Sequence, residues 1–425
     1  MTTTASELQT KGQAARRAAR VLARASTEVK NRALHAIADG LLARADNIVE
    51  ANTLDVAAAE QNGLAHALID RLKLNREKLE AIASDTRDVA ILPDPVGEMI
   101  DMRTLPNGMQ VGRKRVPLGV IAAIYESRPN VTVDIASLCL KAGSGAFLRG
   151  GKETINSNKM LVSVIRDAIE SAGAPADAVQ LIEDTDRGLV GELLKMKDVI
   201  DLVVPRGGVE LIRYVTENAE MPVLTGGTGV CHTYVDAAAD IEKAVRIAHN
   251  AKTRRYTICN ALDTLLVHAD IAGLYLPLIA RAWAESDVEI HCDARSLETI
   301  QRAGVSGNIV PAAADDFGRE FWANTAAIKV VDSLNEAMDH IYEYGTGHSD
   351  AIVTEDYSAA MRFLDEVDTA VVYVNASTQF TDGGQFGLGA EIIDSTQKTI
   401  ARGPVGLREI TSYKWIVQGD GQIRP

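Results

Sequence analysis

Apolar residues recur at helical spacing through the first ninety residues of the chain. After Ser26, a residue type that favours helix N-termini, apolar side chains return every three or four positions as far as Leu41. Similar patterns cover residues 47–61 and 76–91. This part of the chain therefore predicts a helical layer, and it offers no side chain that we would single out for chemistry.

From residue 117 onward, short continuous apolar runs alternate with helical patterns. Continuous apolar strands that alternate with helices are typical of a parallel sheet covered by helices on both faces. A first set of predicted strands and a second set follow each other along the chain, with a boundary near residues 231–240, and this predicts two α/β domains. The first set is 119–125, 146–149, 179–182, 199–204 and 222–225, and the second is 264–267, 288–291, 327–331, 351–353 and 370–374.

A different pattern, that of a β-hairpin, lies at residues 99–116. Two strand-like runs flank Pro106-Asn107-Gly108, and Asn-Gly between such runs is a strong turn signal. A two-stranded ribbon is not stable alone, so it must pack on something. Residues 407–418 also read as a strand, and we expect this tail to join the hairpin in a sheet between subunits.

Composition narrows the class of protein. The chain has 425 residues, of which 46% are hydrophobic, and a net charge of -14 without any basic block. A length of this order suggests about two to three domains, and the charge argues against nucleic-acid binding. The N-terminus lacks the apolar segment of a signal peptide, and no stretch approaches a membrane span, so we expect a cytoplasmic enzyme.

One cysteine occupies a position suited to a nucleophile. Cys259 lies in a short loop between a predicted helix, Ile241–Lys252, and the apolar strand that begins at Thr264. Arg254 and Arg255 are close in sequence, and positive charge favours the thiolate. The alternative is an inert, buried Cys beside a strand, and the local sequence leaves both interpretations open.

Longer motifs resemble one family. Val116-Pro-Leu-Gly-Val-Ile-Ala-Ala-Ile-Tyr-Glu-Ser-Arg-Pro-Asn-Val-Thr resembles the start of the cofactor domain in the aldehyde dehydrogenase superfamily, and in particular its reductive branch, the γ-glutamyl phosphate reductases. The resemblance runs from about residue 10 to the C-terminus. Its other motifs are residues 201–208, 229–236, 250–260, 344–355, 386–391 and 401–407.

The resemblance implies an aldehyde dehydrogenase-like α/β fold, with two α/β domains built on parallel-type sheets and a β-hairpin oligomerisation flap. It assigns residues 1–98 and 117–235 to an NADP-binding domain and residues 236–375 to a catalytic domain with the Cys nucleophile. Residues 99–116 and 376–425 would form the oligomerisation flap and the C-terminal segment. A homo-oligomer is expected.

The same resemblance implies a reaction: NADPH-dependent reduction of L-glutamate 5-phosphate to L-glutamate 5-semialdehyde through a thioester on Cys259, in L-proline biosynthesis. Asn130 and the N–H of Cys259 would bind the developing oxyanion. The alternative role for Asn130 is a helix N-cap, because it opens a predicted helix. Association with a glutamate 5-kinase is a further expectation of the resemblance.

The sequence also indicates the direction of the reaction. Oxidising aldehyde dehydrogenases hydrolyse their thioester with a glutamate, and the corresponding segment here, residues 221–232, has no carboxylate. This favours a reductase whose acyl group arrives on phosphate. Two alternatives stay open: a hydrolytic aldehyde dehydrogenase that acts on another small aldehyde, and a non-catalytic NADPH-binding scaffold.

Three sets of residues are candidates for cofactor binding. Arg149 ends a predicted strand and would favour a ribose 2′-phosphate, hence NADP, unless it is only a surface arginine. Arg206, Gly207 and Gly208 end another strand; they lack the G-x-G-x-x-G fingerprint but permit close approach of a pyrophosphate. By resemblance, Glu320 would bind the nicotinamide ribose; alternatively, it is a solvated acid.

The substrate carries two anionic groups and an amine. Candidates for the anions are Arg128, Arg255 and Arg402, because arginine pairs with carboxylate and phosphate. Glu391 is the candidate for the amine.

The remaining cysteines suggest no further chemistry. We expect Cys139 and Cys231 to be structural, and all four thiols to be reduced, because no C-x-x-C pair occurs. Cys292 follows His291, but two adjacent residues without further spaced ligands do not predict a metal site. No metal is therefore expected.

Overall fold

A computed structural model of the chain describes residues 6–64 and 66–424. The first five residues, on which the expectation of no signal peptide partly rests, lie outside this description. The chain divides into two compact units. Unit 1 contains residues 1–225, 387–393 and 405–425, and unit 2 contains residues 226–386 and 394–404.

The α-helices follow the predicted periodicity closely. In unit 1 they are α1 (Glu7–Leu22), α2 (Thr27–Ala43), α3 (Ala45–Gln61), α4 (His66–Leu72), α5 (Arg76–Ile91), α6 (Asn130–Lys141), α7 (Ile155–Ser171), α8 (Gly188–Leu193) and α9 (Val209–Asn218). In unit 2 they are α10 (Ile241–Thr253), α11 (Ala269–Ala284), α12 (Ala294–Arg302), α13 (Leu334–Tyr344) and α14 (Tyr357–Glu366).

The strands form separate sheets. Unit 1 contains β1 (Met99–Thr104), β2 (Gln110–Pro117), β3 (Val120–Tyr125), β4 (Gly145–Gly150), β5 (Val179–Leu181), β6 (Leu202–Arg206) and, near the C-terminus, β16 (Thr411–Gln418). Unit 2 contains β7 (Cys231–Val235), β8 (Leu262–His268), β9 (Glu289–Cys292), β10 (Ile309–Pro311), β11 (Thr325–Val331), β12 (Ser349–Val353) and β13 (Val371–Val374). Two short strands, β14 (Ile393–Ser395) and β15 (Gly403–Val405), pair with each other.

The main sheet of unit 1 has the strand order β5-β4-β3-β6, and each neighbouring pair is parallel. Every residue of β3 and β4 is buried, which agrees with the apolar runs at residues 120–125 and 145–148. The N-terminal helices pack around this sheet, and α2 begins at the predicted N-cap, where Ser26 Oγ accepts a hydrogen bond from the Val29 amide at 3.3 Å. The carboxyl ends of β3, β4 and β6 therefore meet at one edge.

The predicted hairpin is present, but its third strand comes from the same chain. Strands β1 and β2 pair in antiparallel fashion around the Asn107-Gly108 turn. Strand β16 pairs with β2 from Thr411 to Gln418 within one chain. The tail therefore joins the hairpin as expected, and the sharing of this sheet between subunits stays a prediction.

Unit 2 is built on a seven-stranded sheet with the order β10-β9-β11-β8-β7-β12-β13, in which every neighbouring pair is parallel. Its core includes the fully buried Trp283 and Tyr275 of α11. Strand β7 lies between β8 and β12 and therefore belongs to this sheet. Unit 2 begins at Gly226, ten residues before residue 236, where the sequence placed the start of the catalytic domain. Residues 222–225, predicted as a strand, form only a single bridge through Val223.

A search of the described part of the chain finds no helix with the length and apolar character needed to cross a membrane.

Candidate active site

Cys259 lies in the loop expected from sequence, between the end of α10 at Thr253 and the start of β8 at Leu262. All four cysteines are described by the structure, and Cys259 is partly exposed whereas the other three are buried. Its thiol donates a weak hydrogen bond to Asp394 Oδ2, with 3.9 Å between sulfur and oxygen. Cys259 is therefore the cysteine that a substrate can reach.

A 3₁₀ turn at Thr378–Phe380, in which Thr378 and Gln379 are buried, holds this loop in place. The Gln379 side chain donates to the Ala251 carbonyl at 2.8 Å and to the Arg255 carbonyl at 3.1 Å, and it accepts from Arg254 at 3.0 Å. Next to the nucleophile, Asn260 Nδ2 donates to the Thr381 carbonyl at 2.8 Å, and Thr378 Oγ1 donates to the Asn260 carbonyl at 2.7 Å. These bonds fix the backbone on both sides of the sulfur, as a preorganised nucleophile requires.

Gly229 packs against the backbone of the nucleophile. A methyl group at this position would lie 2.6 Å from the Cys259 carbonyl carbon and 2.9 Å from its Cα, so a side chain does not fit here. The Gly229 amide also donates a hydrogen bond to the Glu320 carboxylate. Glu320, the residue expected to bind the cofactor ribose, is thus linked through Gly229 to the Cys259 loop.

Glu320 is not the fully solvated acid that was the alternative. It is half-buried, and burial raises its pKa to about 7. The neighbouring Phe321 amide donates to Asp263 Oδ1 at 3.3 Å. Lys252, at the end of α10, pairs with the same carboxylate at 3.4 Å, and both side chains are buried. This buried pair connects the two flanks of the Cys259 loop with the segment that carries Glu320.

Two further polar side chains lie close to the nucleophile. The Cys231 thiol donates to the Cys259 carbonyl at 3.2 Å, and its sulfur is 3.9 Å from His348 Nδ1. His348 is 2% exposed, and burial lowers its pKa to about 4, so the imidazole is neutral at pH 7. Cys231 is structural as expected, because it is buried and burial raises its pKa well above the ordinary value.

In unit 1, the residues expected to bind the cofactor meet at the carboxyl edge of the sheet. The Glu126 amide, after β3, donates to the Arg206 carbonyl at 3.1 Å, and the Gly208 amide donates to the Glu126 carboxylate at 3.1 Å. Ser127 has a φ of 45°, in the left-handed region, and its amide and hydroxyl both donate to Glu153 at 2.8 and 2.9 Å. A strained backbone conformation that is held by two hydrogen bonds is typical of ligand-binding loops.

Arg149 lies near the end of β4, as predicted, and its side chain is buried. It is 6% exposed, so it is not a surface arginine. Its guanidinium donates to the carbonyls of Gly150, Thr185 and Asp186, and burial lowers its pKa. Its Nε has no hydrogen-bond partner within residues 6–64 and 66–424. To reach a phosphate, Arg149 would have to exchange carbonyl bonds for it, whereas Lys152, three residues later, is exposed.

Asn130 is the first residue of α6 and does not cap it. The N-cap is Pro129, and no side-chain cap bond forms. The Asn130 amide instead donates to Asp134 Oδ2 at 3.0 Å. Burial raises the pKa of Asp134 to about 7, and the Asn130 bond opposes that rise. The capping alternative was therefore wrong, and the amide of Asn130 is oriented by a carboxyl group one turn along the helix.

The substrate-binding candidates have unequal surroundings. Arg402 donates to the Asp368 carboxylate at 2.6 Å and to its carbonyl at 2.7 Å. Hydrogen bonds from Lys398 and Arg402 lower the pKa of Asp368 to about 2. The charge of Arg402 is therefore already compensated. Arg255 is exposed, and Arg128 and Glu391 are half-buried.

Comparison with known proteins gives the family. The model of the aldehyde dehydrogenase family matches residues 1–295. The γ-glutamyl phosphate reductase of Dehalococcoides mccartyi is 58% identical over 418 residues, which is 98% of both chains. The chain belongs to the aldehyde dehydrogenase family.

Other members of this family are also similar to the chain in sequence and in structure. The γ-glutamyl phosphate reductase of Escherichia coli O1:K1 is 51% identical and covers 98% of this chain and 100% of its own. The crystal structure of the γ-glutamyl phosphate reductase from Thermotoga maritima has a TM-score of 0.96 and 46% identity, with 99% of this chain and 100% of that chain covered. The expected family, fold class and reductase function are confirmed. The chain is an aldehyde dehydrogenase-family oxidoreductase that uses a nicotinamide cofactor and acts on a small molecule.

Sequence reasoning within the aldehyde dehydrogenase family missed several residues of the site. Gly229 and His348 lie in motifs that resemble the family, so a signal existed, but spacing gave them no role. Asp394 lies 135 residues from Cys259, and Gln379 is more than a hundred residues from its partners. Glu153 lies in a helical pattern that gave it no role.

Proposed function

We propose that this chain catalyses the NADPH-dependent reduction of L-glutamate 5-phosphate to L-glutamate 5-semialdehyde and phosphate, in L-proline biosynthesis. The observation that carries the proposal is the accessible thiol of Cys259, held on a loop whose flanks are fixed by buried hydrogen bonds. The names of relatives at 51–58% identity support the choice of substrate.

In the proposed first step, the Cys259 sulfur attacks the acyl-phosphate carbonyl. The thiol proton passes to an acceptor, and Asp394 Oδ2 at 3.9 Å is one available to it. A carbon–sulfur bond forms, the carbon–oxygen bond to phosphate breaks, and phosphate leaves with the electron pair. The product is a thioester, which accepts hydride more readily than a carboxylate.

NADPH, when bound, supplies the hydride. The chain's own part in this second step is to hold the thioester and to stabilise the oxygen that gains charge. We assign this role to the side-chain amide of Asn130 and to the backbone N–H of Cys259; one such donor contributes about 2.7–4 kcal/mol to lowering a barrier. The carbon–sulfur bond then breaks, the aldehyde leaves, and the thiolate is restored.

The residues at the carboxyl edge of the unit 1 sheet suit a dinucleotide. Gly208 opens α9 and has no atom within 4 Å of the place where a side chain would begin, so a phosphate has room to approach its backbone. Arg206 and Gly207 border the same position. Arg149, with its unpartnered buried Nε, and the exposed Lys152 offer positive charge for a ribose 2′-phosphate, which is the basis for NADPH. Glu320 would accept from the nicotinamide ribose.

For the substrate, we assign anion binding to Arg128 and Arg255 ahead of Arg402, because Asp368 already compensates Arg402. Glu391 stays the proposed partner of the α-amine.

Domain roles follow the sequence prediction with one change. We assign cofactor binding to unit 1 and the nucleophile to unit 2, whose first residue is Gly226. The sheet of β1, β2 and β16 would be the oligomerisation flap. Tyr413, Trp415 and Val417 alternate along one face of β16 and are 48%, 58% and 57% exposed, an apolar row that suits a second copy of the chain. A cytoplasmic location and association with a glutamate 5-kinase complete the proposal.

The test is the reverse reaction. The wild-type chain should reduce NADP⁺ in the presence of glutamate semialdehyde only when phosphate is added, and Cys259→Ala should abolish this turnover while the circular dichroism spectrum is unchanged. Turnover by Cys259→Ala would exclude the covalent route. Turnover without phosphate would favour the hydrolytic alternative, and cofactor binding without any turnover would favour the scaffold. Cys139→Ser, which changes a buried thiol, is the matched control.

A further inference from the structure

Three metal-ligating side chains converge at the nucleophile. The Cys259 sulfur, one ring nitrogen of His348 and one carboxylate oxygen of Asp394 all lie within 4.8 Å of one another. They come from the loop before β8, from the residue before β12 and from the middle of β14. All three belong to unit 2. No adjacency in sequence predicts this group, and it differs from the Cys292–His291 pair considered above.

The donor set and its spacing suit zinc. Thiolate, imidazole and carboxylate are the ligands that Zn²⁺ takes in proteins, and a site with three protein ligands keeps a fourth position open. In a tetrahedral site with ordinary bond lengths, a sulfur and an oxygen ligand are about 3.5 Å apart. Cys259 Sγ and Asp394 Oδ2 are 3.9 Å apart, so this pair needs to close by only a few tenths of an ångström.

The surroundings of His348 favour ligation. Its side chain is 2% exposed, and its Nδ1 lies 2.9 Å from Ser349 Oγ. Ser349 Oγ is in turn 2.7 Å from Thr381 Oγ1, which is 2.8 Å from the Tyr373 hydroxyl. Second-shell bonds of this kind orient a metal-binding imidazole. Nε2 of His348 has no hydrogen-bond partner in the part of the chain that the structure describes. A buried nitrogen without a partner, on one side chain of this three-residue cluster, itself points to a ligand.

We infer that Cys259, His348 and Asp394 form a binding site for Zn²⁺ that withdraws the nucleophile from acyl transfer. When the metal binds, a zinc–sulfur bond forms and the thiol proton is released to solvent. The sulfur then donates its electron pair to the metal, and that pair no longer attacks the acyl phosphate. The inhibitory consequence rests on the proposed function of Cys259, whereas metal binding itself does not.

Co²⁺ tests the site without any turnover, because a cobalt–thiolate bond absorbs in the near ultraviolet. The reduced, untagged full chain should bind one Co²⁺ with this absorption, and Zn²⁺ should displace it. Cys259→Ala should lose the absorption. His348→Gln and Asp394→Asn should each weaken binding by about tenfold or more, with circular dichroism as the check on folding. Cys292→Ser, which removes a buried thiol beside His291, should leave the titration unchanged.

A second measurement reads the nucleophile directly. Saturating Zn²⁺ should slow alkylation of Cys259 by iodoacetamide at least tenfold, followed by mass spectrometry, and a chelator should restore the rate. An absorption that His348→Gln and Asp394→Asn leave unchanged, or alkylation at the metal-free rate, would overturn the inference. If Co²⁺ binds through Cys259 but Cys259→Ala keeps its turnover, the proposed function fails and the metal site stands. If Cys259→Ala is inactive and no cobalt signal appears, only the metal site fails.

Discussion

Replacing Gly229 by alanine tests whether the position of the Cys259 backbone limits catalysis. The new methyl group would lie 2.6 Å from the Cys259 carbonyl carbon and 2.9 Å from its Cα, where ordinary contacts begin at 3.4 Å. Both neighbours are backbone atoms, so no flexible side chain can swing away. Gly229 does not have a positive φ, and alanine can therefore adopt its conformation. The effect of the substitution is steric.

The size of the effect follows from these distances. Protein interiors are close-packed, so the Cys259 loop or the segment that carries Gly229 must move by roughly 1 Å. A displacement of this size at a reacting group costs about a hundredfold in rate, and overpacking costs about 1–3 kcal/mol in stability. The Gly229 amide would shift as well, which weakens its hydrogen bond to Glu320.

The assay is the phosphate-dependent reduction of NADP⁺ by glutamate semialdehyde, with thermal unfolding and the alkylation rate of Cys259 measured in parallel. We expect kcat to fall by about two orders of magnitude in Gly229→Ala. The matched control is Gly273→Ala in α11, where no atom lies within 4 Å of the added methyl group. A Gly229→Ala variant with wild-type kcat and an unchanged unfolding temperature would refute the reasoning.

Three further predictions concern stability and assembly. Burial lowers the pKa of His340 to about 3, below its unfolded value of 6.5, so its stabilising contribution is complete above pH 6.5 and is lost as the pH falls toward 3. When the pH is lowered from 7.5 to 5, the free energy of unfolding measured in urea should therefore fall by about 2 kcal/mol less in His340→Phe than in the wild type. An equal fall in both proteins would contradict this prediction. Lys252→Met leaves the buried Asp263 unpaired and should lower the free energy of unfolding by about 3–5 kcal/mol, with partial recovery when Asp263→Asn is added; no recovery would exclude the pair as the cause. Trp415→Asp should convert the proposed homo-oligomer to a smaller species in light scattering, whereas Ser412→Asp, on the other face of β16, should not; an unchanged mass would exclude β16 from the proposed interface.

The parts of the fold that could be predicted are those whose signal is local. Strand β3 is a continuous apolar run and β4 is apolar as far as Leu148, and both are buried along their whole length. Strand β7 was missed because its sequence, Cys-His-Thr-Tyr-Val, is partly polar, although every residue is buried. The His232 backbone amide donates to the carboxylate of Asp350, 118 residues away, at 2.8 Å. A buried polar strand of this kind depends on partners that no local pattern reveals.

The same reasoning explains the candidate site. The loop around Cys259 was predictable because a helix and a buried strand flank it within twenty residues. Its supports were not, because Gln379, His348 and Asp394 come from segments about 90 to 135 residues further along the chain. Arg402 shows the converse: its charge was visible in the sequence, but its pairing with Asp368 was visible only in the structure.

Asp394 changes one step in the reasoning about reaction direction. The absence of a carboxylate in residues 221–232 favours a reductase over a hydrolytic enzyme, yet the chain brings a carboxylate to the sulfur from residue 394. A base that hydrolyses a thioester must reach a water molecule at the carbonyl carbon, whereas Asp394 Oδ2 contacts the sulfur itself. A carboxylate in that position is suited to accept the thiol proton before acylation, and this step is common to both directions. The dependence of turnover on phosphate therefore distinguishes the reductase from the hydrolytic enzyme, whereas the carboxylates present near the nucleophile do not.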